Sequence, residues 1–183
     1  MIYNLYISHS DGTVQERHSI VASFSTPNKD FRHKMAMLCV FWSARGVEYW
    51  ELLEQGQTVN SEVYCRQLDQ LNQRLNRRRA QVVFLDDNAK PHRSRVTNAK
   101  IQELGWDRLD HPPYSPDLAP SDFHLFRSLQ HCLKGKRFDS IDEMQESLEE
   151  FFDSKDAEFY RRGIMKLPEK WQEVIDVDGE YFD

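Results

Sequence analysis

The chain has 183 residues and a mass of 21.8 kDa, with 39% hydrophobic and 30% charged residues. This size and composition suffice for one folded domain and exclude disorder by composition. Its 24 Lys and Arg against 30 Asp and Glu give a net charge of −6, which taken alone argues against a nucleic-acid binder. The longest apolar run, residues 35–42, has eight residues, and a membrane-spanning helix needs roughly 20.

The first predicted elements are a hairpin and a helix. Residues 35–43 form an apolar run rich in aromatic residues and predict a buried strand, and residues 47–53 predict its hairpin partner. Asn60 or Ser61 then caps a helix. The apolar residues of this helix keep helical spacing at Tyr64, Leu68, Leu71 and Leu75.

The second half of the chain alternates short strands with helices. A strand over 80–85 runs directly into two aspartates, a helix over 94–104 ends at Gly105, and a short strand is expected over 106–109. After the proline-rich loop 111–120, helices are predicted from Ser121 or Asp122, over 141–152 and over 156–167, and from Pro168 through Trp171 and Val174. This order predicts an α/β domain with a mixed sheet flanked by helices.

The three cysteines, Cys39, Cys65 and Cys132, are odd in number and far apart, which excludes a disulfide framework or a paired-cysteine zinc site built from them. Cysteines used in this way are typical of a reducing compartment, the cytosol or the nucleus.

The net charge is a sum over unlike segments. Residues 66–108 carry ten Lys and Arg against five acids, whereas residues 138–183 carry five against fifteen. Solvated helix faces explain such charge runs in most proteins. The basic segment nevertheless supplies candidate DNA-binding residues, namely Arg77, Arg78, Arg79, Lys90, Arg93 and Arg95.

Asp87 and Asp122 are the candidate catalytic and metal-binding residues. Asp87 follows a buried strand, and carboxylates at strand ends commonly take part in ligand or metal chemistry. Asp122 lies at a helix start behind a proline-stiffened loop, and 34 residues separate the two. Together they would form a hard oxygen site suited to Mg²⁺ or Mn²⁺. The alternative is that Asp87 is a turn residue and Asp122 an ordinary helix-start carboxylate.

The neighbours of Asp87 are weaker candidates. Asp86 is expected to point to the opposite face of the strand, because successive side chains alternate. Asn88 and His92 lie within reach of the same crevice, but residues of these types more often satisfy polar groups of a loop. No glycine-rich phosphate loop, nucleophile elbow or His-Glu-x-x-His motif is present.

Several blocks of sequence resemble the catalytic domain of mariner transposases, in the Tc1/mariner superfamily. The two most specific are Val-Val-Phe-Leu-Asp-Asp-Asn-Ala-Lys-Pro-His (82–92) and His-Pro-Pro-Tyr-Ser-Pro-Asp-Leu-Ala-Pro-Ser-Asp-Phe-His-Leu-Phe (111–126). The 34-residue gap equals the mariner spacing between the second and third catalytic aspartates. Further similar blocks are residues 37–42, 51–60, 135–140, 166–171 and 178–183. The resemblance covers residues 27–183, and residues 1–26 form a divergent N-terminal segment.

This resemblance implies an RNase H-like fold, DNA cutting and joining with Mg²⁺ or Mn²⁺, and action in the nucleus. The chain departs from the family in two respects. The family's helix-turn-helix modules have no counterpart here, and neither has the Gly-Asp-Glu-Lys/Arg-Trp block that carries the first catalytic aspartate on the first central strand. That strand is therefore missing or replaced, and residues 2–7 have the strand propensity to replace it.

The functional expectation is a transposase-derived domain that binds and cleaves DNA. Catalysis is expected to be impaired and the metal weakly held, because only two of the family's three carboxylates are present. The partners expected are DNA and a second copy of the chain, with no membrane and no small-molecule substrate. The alternatives are a non-catalytic DNA-binding or protein-interaction module and a decayed transposon fragment.

Overall fold

The computed structural model describes residues 2–7, 21–24, 34–53, 56–75, 82–113 and 115–176. Its strands are β1 (Ile2–Ile7), β2 (Val21–Phe24), β3 (Lys34–Ser43), β4 (Gly46–Leu53), β5 (Val83–Leu85) and β6 (Asp107–Arg108). Its α-helices are α1 (Ser61–Leu75), α2 (Arg95–Glu103), α3 (Arg127–Leu133), α4 (Ile141–Asp153) and α5 (Ala157–Asp176). A 3₁₀-helix spans Pro116–Leu118, and a π-helix spans Ser121–Phe126.

The six described strands form one mixed sheet. β1 pairs antiparallel with β3 and parallel with β5, and β5 pairs parallel with β6. β2 extends the ladder along the first part of β3. Both β1 and β4 pair with residues 38–42 of β3, so they lie on opposite edges of that strand. The mixed sheet flanked by helices confirms the predicted fold class.

β1 fills the central position that the sequence left open. It lies between the β3–β4 hairpin and β5, with Leu5 opposite Val40 and Tyr3 opposite Leu85. Without it, the edges of both β3 and β5 would present unpaired backbone groups. The first central strand is therefore replaced by residues 2–7.

The hydrophobic core lies on both faces of this sheet, because successive side chains of a strand point to opposite sides. On one face, Cys39, Phe41 and Phe84 pack with α1 and α2. On the other, Val40, Trp42 and Leu85 pack with the π-helix, α4 and α5. Of the described helices, none has the length and apolar character that a membrane crossing requires.

Local signals place most element ends as expected. The backbone N–H of Val63 donates to Oδ1 of Asn60 at 2.9 Å, which confirms the predicted cap of α1. Ser94 caps α2 in the same way through the N–H of Thr97. Gly105 then ends that helix with a φ of +69°, a conformation that favours glycine.

The prediction of two helices divided at Pro168 is wrong, because α5 runs unbroken from Ala157 to Asp176. A proline inside a helix loses one backbone hydrogen bond. That loss is offset here by burial on one helix side, where Ile164 and Leu167 precede the proline and Trp171 follows it. Tertiary packing of an apolar face thus outweighs the local helix-breaking tendency.

Candidate active site

Asp87 lies directly beyond β5, and its carboxylate is held by the loop that follows it. Oδ1 accepts a hydrogen bond from the backbone N–H of Ala89 at 2.8 Å, and Nδ1 of His92 donates to the same oxygen. The bond to Ala89 is an Asx turn, which fixes an aspartate side chain through its own backbone. About a fifth of the Asp87 side chain (21%) is exposed, so the carboxylate stays accessible.

Asp122 lies in the first turn of the π-helix, which confirms the predicted helix start. The turn is fixed to the sheet by a buried hydrogen bond of 2.9 Å from Nε1 of Trp42 to Oγ of Ser121. The backbone N–H of Asp122 donates to the carbonyl of Ala119 at 2.8 Å. π-helical turns are rare and occur frequently at functional sites.

The two aspartates interact electrostatically. Burial and, after it, the negative charges of Asp87 and Asp117 together raise the pKa of Asp122 to about 7. Charge repulsion of this kind requires proximity, so the fold brings the predicted pair together. Their oxygen donors are of the kind that Mg²⁺ and Mn²⁺ prefer. Among the described residues, no group of three or more His, Cys, Asp or Glu side chains is placed to hold a metal ion.

Asp86 points to the opposite face, as predicted, and is fully buried there. Its two carboxylate oxygens accept hydrogen bonds from Arg108 at 2.7–2.9 Å, and Oδ2 also accepts the hydroxyl of Tyr64 at 3.1 Å. The Arg108 side chain is only 13% exposed. A buried carboxylate needs such a partner, and this one is already neutralised by a guanidinium.

The same arginine reaches the loop that holds Asp87. Nη2 of Arg108 donates to the carbonyl of His92 at 3.0 Å, and Nη1 donates to Oδ1 of Asn98 at 2.6 Å. The His92 ring is fully buried, with its centroid 4.2 Å from that of Tyr64. His92 is therefore more than the loop residue that its type suggested, because it links the buried Asp86 cluster to the Asp87 carboxylate.

The predicted basic residues separate into different environments. Lys90 and Arg95 are exposed in the loop and helix that follow Asp87. Arg93 turns toward Asp86, with Nη2 3.9 Å from Oδ1, and its side chain is 28% exposed. Asn88 is exposed and donates from Nδ2 to the carbonyl of His111 at 2.8 Å. Arg77, Arg78 and Arg79 lie outside the described residues.

α5 packs against the π-helix at Gly163. A Cβ at this position would lie 2.4 Å from Cδ2 of His124 and 3.0 Å from Trp42, so only glycine permits this approach. Nε2 of His124 donates to the carbonyl of Phe159 at 2.8 Å. α5 thereby holds the turn that carries Asp122.

Sequence reasoning missed the residues that position the two aspartates. Tyr64, Arg108 and Gly163 each act through a partner far along the chain, and no local pattern marks such pairs. The available signal for Arg108 was a lone cation at the end of a short predicted strand, beside a strand that ends in two adjacent acids.

The family model described as "Transposase (partial DDE domain)" matches residues 21–85. The chain is 47% identical over 157 residues to the Mariner Mos1 transposase of Drosophila mauritiana, which covers 82% of this chain and 46% of that protein. It is 39% identical over 163 residues to the histone-lysine N-methyltransferase SETMAR of Homo sapiens, covering 86% and 24%. The chain thus spans less than half the length of either relative.

Solved structures give the same result. The crystal structure of the catalytic domain of Mos1 mariner transposase matches with a TM-score of 0.85 and 40% identity, covering all of this chain and 83% of that one. The Mos1 catalytic domain with raltegravir and Mg matches at 0.83 and 40%, covering 100% and 85%. The Mos1 paired-end complex with Mn matches at 0.82 and 40%, covering 100% and 56%. This likeness confirms the RNase H-like fold.

The buried Asp86–Arg108 pair should contribute strongly to stability. Replacing Arg108 with Met leaves a buried carboxylate without its cation, which we expect to lower the free energy of unfolding by about 3–5 kcal/mol. The matched control is Arg161→Met, which removes a cation whose side chain is 62% exposed and which pairs with Glu158, itself 55% exposed. That change should cost under about 1 kcal/mol. Urea unfolding measures both, and equal losses would contradict the assignment.

Asp122 should make stability depend on pH. Its pKa in the folded chain, about 7, lies above its ordinary value, so folding stability is lost as the pH rises between these two values. We expect Asp122→Asn to be more stable than the parent by about 2 kcal/mol near pH 8, since one pKa unit is worth about 1.4 kcal/mol and solvent screening reduces it.

The gain should shrink toward about pH 4. Urea unfolding across this range, without divalent cations, measures it, with the exposed Asp139→Asn as control. A gain independent of pH would contradict the cause given for the shift.

Proposed function

Because this chain belongs to the mariner family of transposases and its described residues form a catalytic domain of that family, we propose that it binds DNA and cleaves DNA strands by metal-dependent phosphoryl transfer. Asp87 and Asp122 are the proposed catalytic, metal-binding residues. The observation that carries the proposal is their electrostatic coupling, since two acids with 34 residues between them interact in one partly buried site.

The donor set fits a hard divalent cation in kind. Both groups are carboxylates, and burial together with the charge of Asp87 raises the pKa of Asp122, so a cation bound there would offset an unfavourable negative charge. When bound, Mg²⁺ or Mn²⁺ supplies a Lewis acid for in-line displacement at a phosphodiester. Structures of the related Mos1 domain are in complex with Mg and with Mn, which supports this choice of metal.

The protein's own groups would orient this site. His92 and the Ala89 amide hold one oxygen of Asp87, which fixes the direction of the carboxylate. The Trp42–Ser121 hydrogen bond fixes the turn of Asp122. Preorganised carboxylates of this kind lose little freedom when they bind a cation.

We further propose that catalysis is impaired. The resemblance places the family's first aspartate on the first central strand, and the strand that occupies this position, Ile-Tyr-Asn-Leu-Tyr-Ile, contains no carboxylate. When several catalytic groups work as a unit, removing one of them lowers the reaction rate by orders of magnitude. Two carboxylates also hold a divalent cation less firmly than three.

The proposed partners are DNA and a second copy of the chain, and the proposed site of action is the nucleus. The matching Mos1 structures include paired-end and strand-transfer complexes, which supports both partners. The exposed cations Lys90 and Arg95, which follow Asp87, would contact DNA phosphates.

The second candidate function is a non-catalytic DNA-binding module. The absence of a carboxylate in the sequence of β1 favours it, because the fold is kept while the family's first catalytic aspartate is not. It predicts DNA binding that weakens steeply with salt and needs no metal.

Nicking of supercoiled DNA tests the first candidate. We expect slow nicking that requires Mn²⁺ or Mg²⁺ and that falls at least about 100-fold in Asp87→Ala, because a catalytic group is lost. Asp139→Ala, which removes an exposed acid that is not one of the proposed catalytic residues, is the control and should leave the rate unchanged. Nicking that persists in Asp87→Ala would refute the catalytic assignment. Salt-sensitive binding without any nicking would favour the second candidate.

Restoring a carboxylate to β1 tests the cause of impairment. Position 5 lies opposite Val40 and two residues beyond the Tyr3–Leu85 pair, so it is level with Asp87. We expect Leu5→Asp to raise Mn²⁺ affinity and nicking by about 10-fold or more, since a third oxygen ligand completes the set. Asn4→Asp is the matched control, because position 4 pairs with Phe41 on the α1–α2 face. Equal effects in both variants would contradict this account.

A further inference from the structure

A row of three cations on α5 lies beside the turn that carries Asp122. Arg162, Lys166 and Lys170 are spaced four residues apart, so they follow one side of the helix. They belong to the most acidic part of the chain, residues 138–183, where the net charge gives no hint of a basic surface. We call these three residues the α5 basic row.

Two observations place the row next to Asp122. Gly163, the residue directly after Arg162, packs against the His124 ring, since a Cβ at this position would lie 2.4 Å from Cδ2 of that ring. Nζ of Lys170 lies 5.2 Å from the ring centre of Phe123. Phe123 and His124 directly follow Asp122 in the π-helix.

The cations of the row are available to a ligand. Arg162 and Lys166 are exposed, and Lys170 is partly exposed. Among the described residues, no carboxylate lies within ion-pair distance of any of the three, although α5 also carries Glu169 and Glu173. Glu158 lies four residues before Arg162, and Glu169 and Glu173 lie three residues after Lys166 and Lys170, so these acids share the helix surface without forming ion pairs with the row.

The adjacent cation shows the contrast. Arg161 lies next to Arg162 in the chain, but its Nε donates to Glu158 at 3.0 Å in an ion pair along the helix. Arg161 is also exposed, with 62% of its side chain accessible. The ion pair with Glu158 therefore accounts for the position of Arg161. Among the described residues, the three cations of the α5 basic row form no such pair.

Aromatic rings alternate with cations on the same surface. Phe123 and Phe159 are both partly exposed, and Phe159 packs on His124 with ring centres 4.3 Å apart. Nζ of Lys155 lies 5.3 Å from the ring centre of Phe159. Surfaces that combine cations with accessible rings are typical of proteins that bind nucleic-acid strands.

We infer that the α5 basic row binds phosphates of the DNA strand that passes Asp122. This inference rests on the proposed function and adds to it a contact surface on the Asp122 side of the site. Of the basic residues predicted from sequence, Lys90, Arg93 and Arg95 follow Asp87 in the chain. DNA would then be held by cations near each of the two aspartates, which positions a phosphodiester near their oxygens.

The experiment compares two charge-neutralising variants of the full chain. The double variant Arg162→Gln/Lys166→Gln should bind a linear DNA duplex about 10-fold or more weaker than the parent. The slope of log affinity against log salt should fall by about two, because the variant no longer neutralises two phosphates. Arg161→Gln removes an exposed cation from the same helix and should change neither quantity by more than about twofold. Thermal melting confirms that all chains are folded, and Lys166→Glu alone should weaken binding more than Lys166→Gln.

The outcomes separate the two proposals. If the parent binds DNA in a salt-sensitive way and the double variant binds equally well, the inference that the α5 basic row binds DNA is overturned. The proposed function is not affected by that result. An equal loss per charge in Arg161→Gln also overturns the inference, since the effect would then reflect overall charge. A parent chain that binds no DNA at any salt concentration overturns both. If the double variant does not melt cooperatively, Lys166→Glu decides in its place, and unchanged binding in that variant overturns the row.

Discussion

Repulsion between Asp87 and Asp122 must be opposed by the packing around them, because each carboxylate is partly removed from water and neither is neutralised by the other. Burial and, after it, the charges of Asp87 and Asp117 raise the pKa of Asp122 to about 7, so the charged form of this carboxyl group is unfavourable there. Two rigid attachments hold the pair in place regardless. His92 and Ala89 hold Asp87, and the bond from Trp42 to Ser121 holds the turn of Asp122. Keeping two like charges together thus lowers the free energy of unfolding.

Asp86 and Asp87 are identical residues whose side chains have different environments because they point to opposite faces of the sheet. The period of two along a strand sends Asp86 into the α1–α2 face, where Arg108 and Tyr64 satisfy it completely. Asp87 lies at the end of the same strand and meets another anion. A divalent cation would therefore gain little at Asp86, whose charge a guanidinium already balances, and more where two carboxylates repel each other. The buried pair also anchors the Asp87 loop, since Arg108 donates to the carbonyl of His92.

Local signals in the sequence predicted the elements that carry the site. Apolar runs and caps predicted β3, β4, α1 and α2, because these depend on neighbours in the chain. The family spacing predicted that Asp87 and Asp122 belong together. The sequence could not show that Arg108 pairs with Asp86 or that Gly163 receives His124, because both contacts join distant segments. The prediction of a helix break at Pro168 was wrong for a related reason. The sequence shows that proline removes a backbone hydrogen bond of the helix, but it does not show the burial of Leu167 and Trp171 that offsets this loss.

β1 separates what the fold requires from what the chemistry requires. The centre of the sheet needs a segment that pairs with β3 and β5, and a strand-forming sequence such as Ile-Tyr-Asn-Leu-Tyr-Ile meets that need through backbone hydrogen bonds alone. A metal site needs a carboxylate at one register position, and strand pairing places no demand on that side chain. The sheet can therefore form whatever side chain stands level with Asp87, where this chain carries Leu5. Similarity of fold does not by itself establish catalytic competence.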